Sequence, residues 1–328
     1  MNISIKNIIT PSIPLAISSI ILCFSLWTYC YFNDLFHGIT TQSSVHSFFK
    51  VGIFNNLLVS NLISIAFTLS NAFLLIQLNN KFTIIRTRTF LPILIFILLS
   101  CTWSTTHLTD ESDICLTLFL LSLFYIFNMY RNPTGVEQSF MGSLIIGISS
   151  LIVNHMLFFI PIFWIGYGIF QSISVRTFLS SVFGAITPWI FYISTLKINQ
   201  PDYNLNNLLV LNKNLFFDIN SITFINKFYI ALLALVFIFC SLGMFVNSRA
   251  DATHTRSKLN LLLLLFLTNC VLSLLFVNVT SAFIPIIGIL YAIIVSHSFT
   301  LIQSKFYSYL FVAFCCINVL YIFTKNIH

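Results

Sequence analysis

Apolar residues in this chain come in runs too long for strands and too unbroken for amphipathic surface helices, with short polar breaks between them. About 20 helical residues cross a hydrocarbon core of about 30 Å, with about 17–25 as the working range. On that scale the pattern predicts eleven spans, over residues 12–32, 51–76, 89–104, 114–130, 139–154, 156–173, 177–196, 228–247, 259–277, 282–299 and 306–323. A membrane β-barrel would instead show segments of about 10 alternating residues. The fifth and sixth runs meet at Asn154-His155 without a real loop, either as two spans on a tight turn or as a hairpin that stops short of crossing. Pro161, Pro188 and Pro285 fall inside spans six, seven and ten. Each removes a backbone hydrogen bond and predicts a break or kink. The first run, Ile13 to Phe32, is too long for the apolar region of a signal peptide and no small-x-small site follows it. It is expected to remain as the first helix.

Composition narrows the class further. Of 328 residues, 58% are hydrophobic and only 7% charged, whereas soluble domains carry about 25% charged residues. A soluble globule of this size is excluded, and so is a disordered chain, which needs low hydrophobicity and high charge. The expected fold is all-α: a polytopic transmembrane helical bundle of about eleven spans. Its expected parts are a seven-span module over 1–196, an outer amphipathic connection over 197–227 and a four-span module over 228–328. The connection is rich in asparagine and carries apolar clusters, Leu205, Leu208, Leu209 and Leu211, then Leu215 to Phe217. That mixture predicts helix lying in the membrane interface. No separate soluble domain and no internal repeat are expected.

The net charge of +7 is read as topology, with no nucleic-acid partner. With the N-terminus inside, alternation places Lys6, Lys81, Arg86, Arg88, Arg131, Arg176, Arg249, Arg256, Lys258 and Lys305 inside, and only Lys50, Lys197, Lys213, Lys227 and Lys325 outside. Lys and Arg mark cytoplasmic connections. The expectation is a cytoplasmic N-terminus and an outer C-terminus, with membrane lipids as the first partners and no particular oligomeric state implied.

Candidate chemistry is concentrated on the outer side. All eight cysteines fall in or beside spans, as small buried hydrophobes would. Cys101 and Cys115 flank one outer loop, where a disulfide is chemically allowed. His37, His46, His107 and His155 map to outer connections, near the acids Asp34, Asp110, Glu111 and Asp113. Imidazole and carboxylate are divalent-metal ligands, but no HExxH spacing occurs. The span interiors are read as essentially free of ionisable groups, which argues against a proton-coupled pump. Span two does carry a polar stripe, Asn61, Ser64, Thr68 and Asn71, on one helical face. It either bonds neighbouring helices or lines a substrate groove. The sharpest local signal is His107-Leu-Thr-Asp110-Glu111-Ser-Asp113, between spans three and four.

An acid after span one and an acidic group after span three form a layout that resembles the GT-C glycosyltransferases, multi-pass enzymes that use polyprenyl-phosphate-linked sugars. The run from Met141 to Pro161 resembles their fifth and sixth spans, and Arg176 through Pro188-Trp189 their seventh. The chain also resembles an uncharacterised family of bacterial multi-pass inner-membrane proteins, through Arg88-Thr-Phe-Leu-Pro92, Gly142 to Leu151, Arg176-Thr-Phe and Gly184 to Pro188. The GT-C resemblance implies a GT-C-like arrangement of the first seven spans and a lipid-linked-sugar transferase in envelope glycan assembly. Asp34, Asp110, Glu111 and Asp113 would be its catalytic carboxylates. Asp110 and Asp113 would be ligands of a divalent metal, Mg or Mn. Asn61, Ser64, His107 and His155 would contact substrate. The outer loop from Asn33 to Lys50 is shorter than is usual in that superfamily and has no DxD. The alternative is a non-enzymatic transporter or a structural subunit of an envelope complex.

Overall fold

A computed structural model of the chain describes residues 13–32, 57–86, 89–103, 107, 109–199, 223–247, 251–276, 280–301 and 305–325. Among them the chain forms eleven α-helices: α1 (Ile13–Phe32), α2 (Leu57–Phe82), α3 (Leu91–Thr102), α4 (Glu111–Phe127), α5 (Val136–Ile152), α6 (Phe159–Ile169), α7 (Val175–Asn199), α8 (Phe224–Asn247), α9 (Thr253–Leu275), α10 (Thr280–Leu301) and α11 (Lys305–Lys325). No strand occurs among the described residues. Six helices, α2 and α7 to α11, are long and apolar enough to cross a membrane. The protein is a multi-pass helical membrane protein.

Helix limits depart from the apolar runs where polar residues belong to the helix. α2 ends at Phe82 rather than near residue 76, because Asn79 and Lys81 still wind helically. The Asn79 side chain then accepts from the Ile85 amide at 2.8 Å and closes the turn beyond. α4 starts three residues early, at Glu111, because Asp110 caps it and Glu111 and Asp113 occupy its first turn. Acids there offset the positive end of the helix dipole. Between α5 and α6 lies a 3-10 turn, Asn154–Phe158. Pro161 therefore sits in the first turn of α6, where its missing N–H costs nothing. The expected break at Pro161 is corrected accordingly, while Pro188 and Pro285 do lie inside helices.

Burial divides helices that hydropathy alone leaves alike. α3 has 12 residues, all buried except Leu94. Twelve residues rise about 18 Å, well short of a bilayer core, so α3 is a core element held among α1, α2, α10 and α11. α10 is the central long helix, with 83% of its apolar window buried, against 28% for α7 and 22% for α11. α10 packs against α3 and α4 from the first seven helices and against α8 and α9 from the last four, so one apolar core joins residues on both sides of the 197–227 connection. The peripheral helices turn large apolar side chains outward, among them Phe183, Phe191 and Leu320, as lipid-facing surfaces require.

α5 and α7 make the closest pairing. Ser139 donates to the Thr177 carbonyl at 2.6 Å and Ser180 to the Val136 carbonyl at 2.7 Å. Gly147 faces the carbonyl of Ala185 and Gly184 that of Phe140, with no room for a Cβ. Small side chains let two backbones touch, the usual route to helix association in lipid. Cys101 and Cys115 are both free and buried, so the disulfide allowed by the sequence does not form.

Candidate functional site

Two polar clusters stand out, an acidic end at the starts of α2 and α4 and a basic end where these two helices finish. The acidic end is built where α3 hands over to α4. His107 follows α3, and its Nε2 donates back to the Cys101 carbonyl at 3.0 Å, which fixes the proton on Nε2. Asn61, in the first turns of α2, donates to the His107 carbonyl at 3.2 Å. The Trp27 ring of α1 meets the imidazole edge-on, with centroids 4.6 Å apart. One residue pair further on, the Thr109 amide donates to the Ser60 hydroxyl at 2.9 Å and the Thr109 hydroxyl to the Ser60 carbonyl at 2.6 Å. The loop is thus fastened to the start of α2 before the chain enters α4.

Three carboxyls follow in four positions. Asp110 Oδ1 accepts from the Glu111 amide at 2.8 Å as the cap of α4. Asp113 is 6% exposed and its Oδ2 meets no hydrogen-bond donor. Thr117, one turn below, lies 2.9 Å from both the Asp113 carbonyl and Asn71 Oδ1. Asp110 and Glu111 precede the apolar part of α4. Desolvation raises the Asp110 carboxyl above its usual range. Desolvation first, and the neighbouring Asp110 second, push Glu111 up from 4.5 to about 7.

That shift fixes the sign of a pH effect. Between pH 4.5 and about 7 the folded protein holds a Glu111 proton that the unfolded chain has released. Stability therefore falls as pH rises through this window and levels off above it. Thermal unfolding in detergent should show a lower midpoint at pH 8 than at pH 5, with the difference reduced in Glu111→Gln. An equal pH slope in that variant would assign the effect elsewhere.

The polar stripe of α2 is fully internal: Asn61, Ser64, Thr68 and Asn71 are each at most 6% exposed. Asn61 bonds the α3–α4 loop, Asn71 meets Thr117 of α4 at 2.9 Å, and Thr68 donates to the Ser64 carbonyl. The structure thus brings Asn61, Ser64, His107, Asp110, Glu111 and Asp113 to one corner of the bundle. His155 is placed apart, in the 3-10 turn, with its ring 4.4 Å from that of Phe276 at the end of α9. Asp34, His37 and His46 lie outside the described residues, as do residues 200–222 of the connection. Among the described residues no three His, Cys, Asp or Glu side chains are arranged to hold a metal. Asp110 and Asp113 supply two carboxylates, and among the described residues no third ligand joins them.

The basic end holds a buried pair that the sequence reading missed. His297, in α10, is fully buried, and its Nε2 lies 3.4 Å from Asp251 Oδ2, just ahead of α9. Arg86 is within electrostatic reach. The expectation of span interiors without ionisable groups is corrected by His297. The available signal was a histidine between Ser296 and Ser298 inside the tenth apolar run.

No family model, no curated protein and no solved structure matches this chain. Any functional reading therefore rests on its own residues.

Proposed function

We propose that the acidic end is the active site of a bacterial inner-membrane enzyme that acts on lipid-linked sugars in envelope glycan assembly. The N-terminus is cytoplasmic and the C-terminus periplasmic in this reading, with the acidic end on the periplasmic side. One observation carries it: three carboxyls crowd the start of α4, and one of them, Asp113, is buried with an oxygen that no donor meets. A buried carboxyl without a partner is costly, and ionisable groups retained inside membrane proteins serve function. Glu111, half-buried and raised to about 7, is matched to proton transfer at neutral pH. In this reading Glu111 takes the proton of the acceptor hydroxyl as that oxygen bonds to the anomeric carbon of the sugar, the bond from that carbon to the phosphate oxygen breaks, and the phosphate leaves on its lipid. Asp113 holds the acceptor, with Ser64 one turn further along α2 as a substrate contact, and Asn61 and Ser60 brace the loop carrying His107. Asp34 would be a further carboxylate at the same face, and the GT-C-like arrangement of the first seven spans would place it there.

Depletion of the protein should cause polyprenyl-phosphate-linked sugar to accumulate, detectable by mass spectrometry of lipid extracts. Wild-type protein should clear it. Glu111→Gln and Asp113→Asn, inserted at wild-type levels, should lower turnover by about 100-fold, the lower end of general acid–base contributions. Unchanged lipid-linked sugar on depletion would refute the reading.

One observation favours a second reading, a structural subunit of an envelope complex. The α2 stripe is buried and occupied with contacts to the loop and α4 rather than open as a groove, which also speaks against its use as a transport path.

A further inference from the structure

At the basic end, cations from three separate helix ends converge on one set of aromatic rings. Lys81, in the last turn of α2, places Nζ 5.3 Å from the Phe82 centroid and 5.9 Å from that of Phe124. Lys258 of α9 reaches the other side of this group, 5.0 Å from the Phe82 centroid. Its ammonium is buried and donates to the Phe82 carbonyl at 3.0 Å. After α4, Arg131 lies over the Tyr130 ring at 5.5 Å. The His254 ring is 6.3 Å from Tyr130, and its Nε2 is 3.2 Å from the Thr83 hydroxyl. Tyr130 Oη meets the Thr253 hydroxyl at 3.4 Å. Thr83 and Arg131 both hold left-handed backbone, with φ of 47° and 54°. Such geometry is uncommon away from glycine, and here it occurs in the two segments that follow α2 and α4 at this patch.

The patch is rich in donors and open to solvent. Lys81, Thr83, Arg131 and Thr253 are exposed, and Tyr130 and His254 are partly so. Among the described residues neither Lys81 nor Arg131 has a carboxylate within ion-pair distance. Among the described residues at this end, the acid Asp251 is buried against His297. Like charges brought together without an acid repel one another, and a bound anion relieves that repulsion. The position selects the anion. α2 and α9 are both long and apolar enough to cross a membrane, and the patch lies at the polar end of each; charges at the end of a membrane span reach the headgroups. Basic pockets between such helix ends suit phosphate-bearing lipid headgroups.

We propose that Lys81, Arg131, His254 and Lys258 form a binding site for the phosphate of an anionic phospholipid headgroup. Lys81 and Arg131 supply the free charge, the Thr83, Tyr130 and Thr253 hydroxyls supply neutral donors, and buried Lys258 sets the positive potential behind them. This inference rests on membrane placement and not on the transferase reading, since the site lies at the opposite end of α2 and α4 from the carboxyls. Loss of activity in Glu111→Gln therefore leaves it untouched.

The test uses full-length protein extracted into mild detergent, incubated with phosphatidylglycerol or with phosphatidylcholine, and weighed by native mass spectrometry. Wild type should retain phosphatidylglycerol and not phosphatidylcholine. Each of Lys81→Ala and Arg131→Ala should weaken retention by about fivefold, the effect of one surface cation near an anionic headgroup. Lys305→Ala, at the exposed start of α11, should leave it unchanged. Because both side chains are exposed, the variants should unfold thermally at the wild-type temperature without lipid. Equal retention of the two lipids, or equal phosphatidylglycerol retention in both variants, would overturn the proposal. So would full displacement by millimolar inorganic phosphate, which would assign the patch to a free anion instead.

Discussion

Gly184→Leu is expected to abolish the folded protein, and Gly184→Ala to destabilise it by about 2–3 kcal/mol, at the upper end of overpacking effects. The reason is that the new Cβ would strike backbone rather than a movable side chain: the carbonyl of Phe140 stands in its way, with the Leu144 amide 3.2 Å from the same point. Yielding would require α5 and α7 to separate. That separation would strain the hydrogen bonds from Ser139 to Thr177 and from Ser180 to Val136, and the 2.8 Å bond from the Trp189 indole to Ser150. Gly147→Ala belongs to the same class, since its Cβ would sit 2.7 Å from the Ala185 carbonyl. Gly168 is the control. Nothing lies within 4 Å of its Cβ position, so Gly168→Ala should be neutral or slightly stabilising through lower chain entropy. Thermal loss of monodispersity in detergent, compared across the four variants, measures this order. Equal midpoints for Gly184→Ala and Gly168→Ala would show that α5 and α7 are not in contact as described.

The second large effect concerns the pair between Asp251 and His297. Asp251→Leu should cost about 3–5 kcal/mol by leaving His297 buried without its charge partner, since the 3.4 Å contact is an ion pair rather than a hydrogen bond. That loss is a large share of the stability of an ordinary domain. Both side chains are almost wholly buried, at 0% and 2% exposure, so water cannot compensate. His297→Leu should behave alike, leaving the carboxylate stranded. The double variant should recover most of the loss, because replacing both members of a buried pair with apolar groups is often neutral. A double-mutant cycle on unfolding midpoints reads the coupling directly. Additive single losses would mean that the two groups do not interact, and that the link between the end of α10 and the start of α9 lies elsewhere.

The chain's class was legible because it depends on local composition. Each of the eleven apolar runs became a helix, since a backbone in lipid must satisfy its own hydrogen bonds. The phase of the α2 stripe was legible too. Four polar residues on one face must turn inward, and Asn61 and Asn71 do so. The acidic loop stood out as three carboxyls in four positions, and its role as the start of α4 follows from Asp110 as cap.

Other features depended on residues distant in sequence. Hydropathy rates α10 and α11 as similar candidates, yet one is largely buried and the other largely exposed. Lipid tails and a protein core are equally apolar, so a leucine facing either reads the same. In the sequence His107 was one of several histidines in outer connections, and only packing put it edge-on to Trp27 and beside Asn61. Asp251 precedes α9 and His297 lies near the end of α10, and neither position names the other. Lys81, Arg131 and Lys258 counted in the sequence only as topology signals. Their convergence on Phe82, Phe124 and Tyr130 arises because the ends of α2 and α4 meet the start of α9. The sequence by itself determined which segments become helices and which faces need polar partners, because both follow from short-range hydrogen bonding and solvation. Which helix lies at the centre, and which charges meet, was decided only by the tertiary structure, because those outcomes depend on the fit of surfaces brought together from opposite parts of the chain.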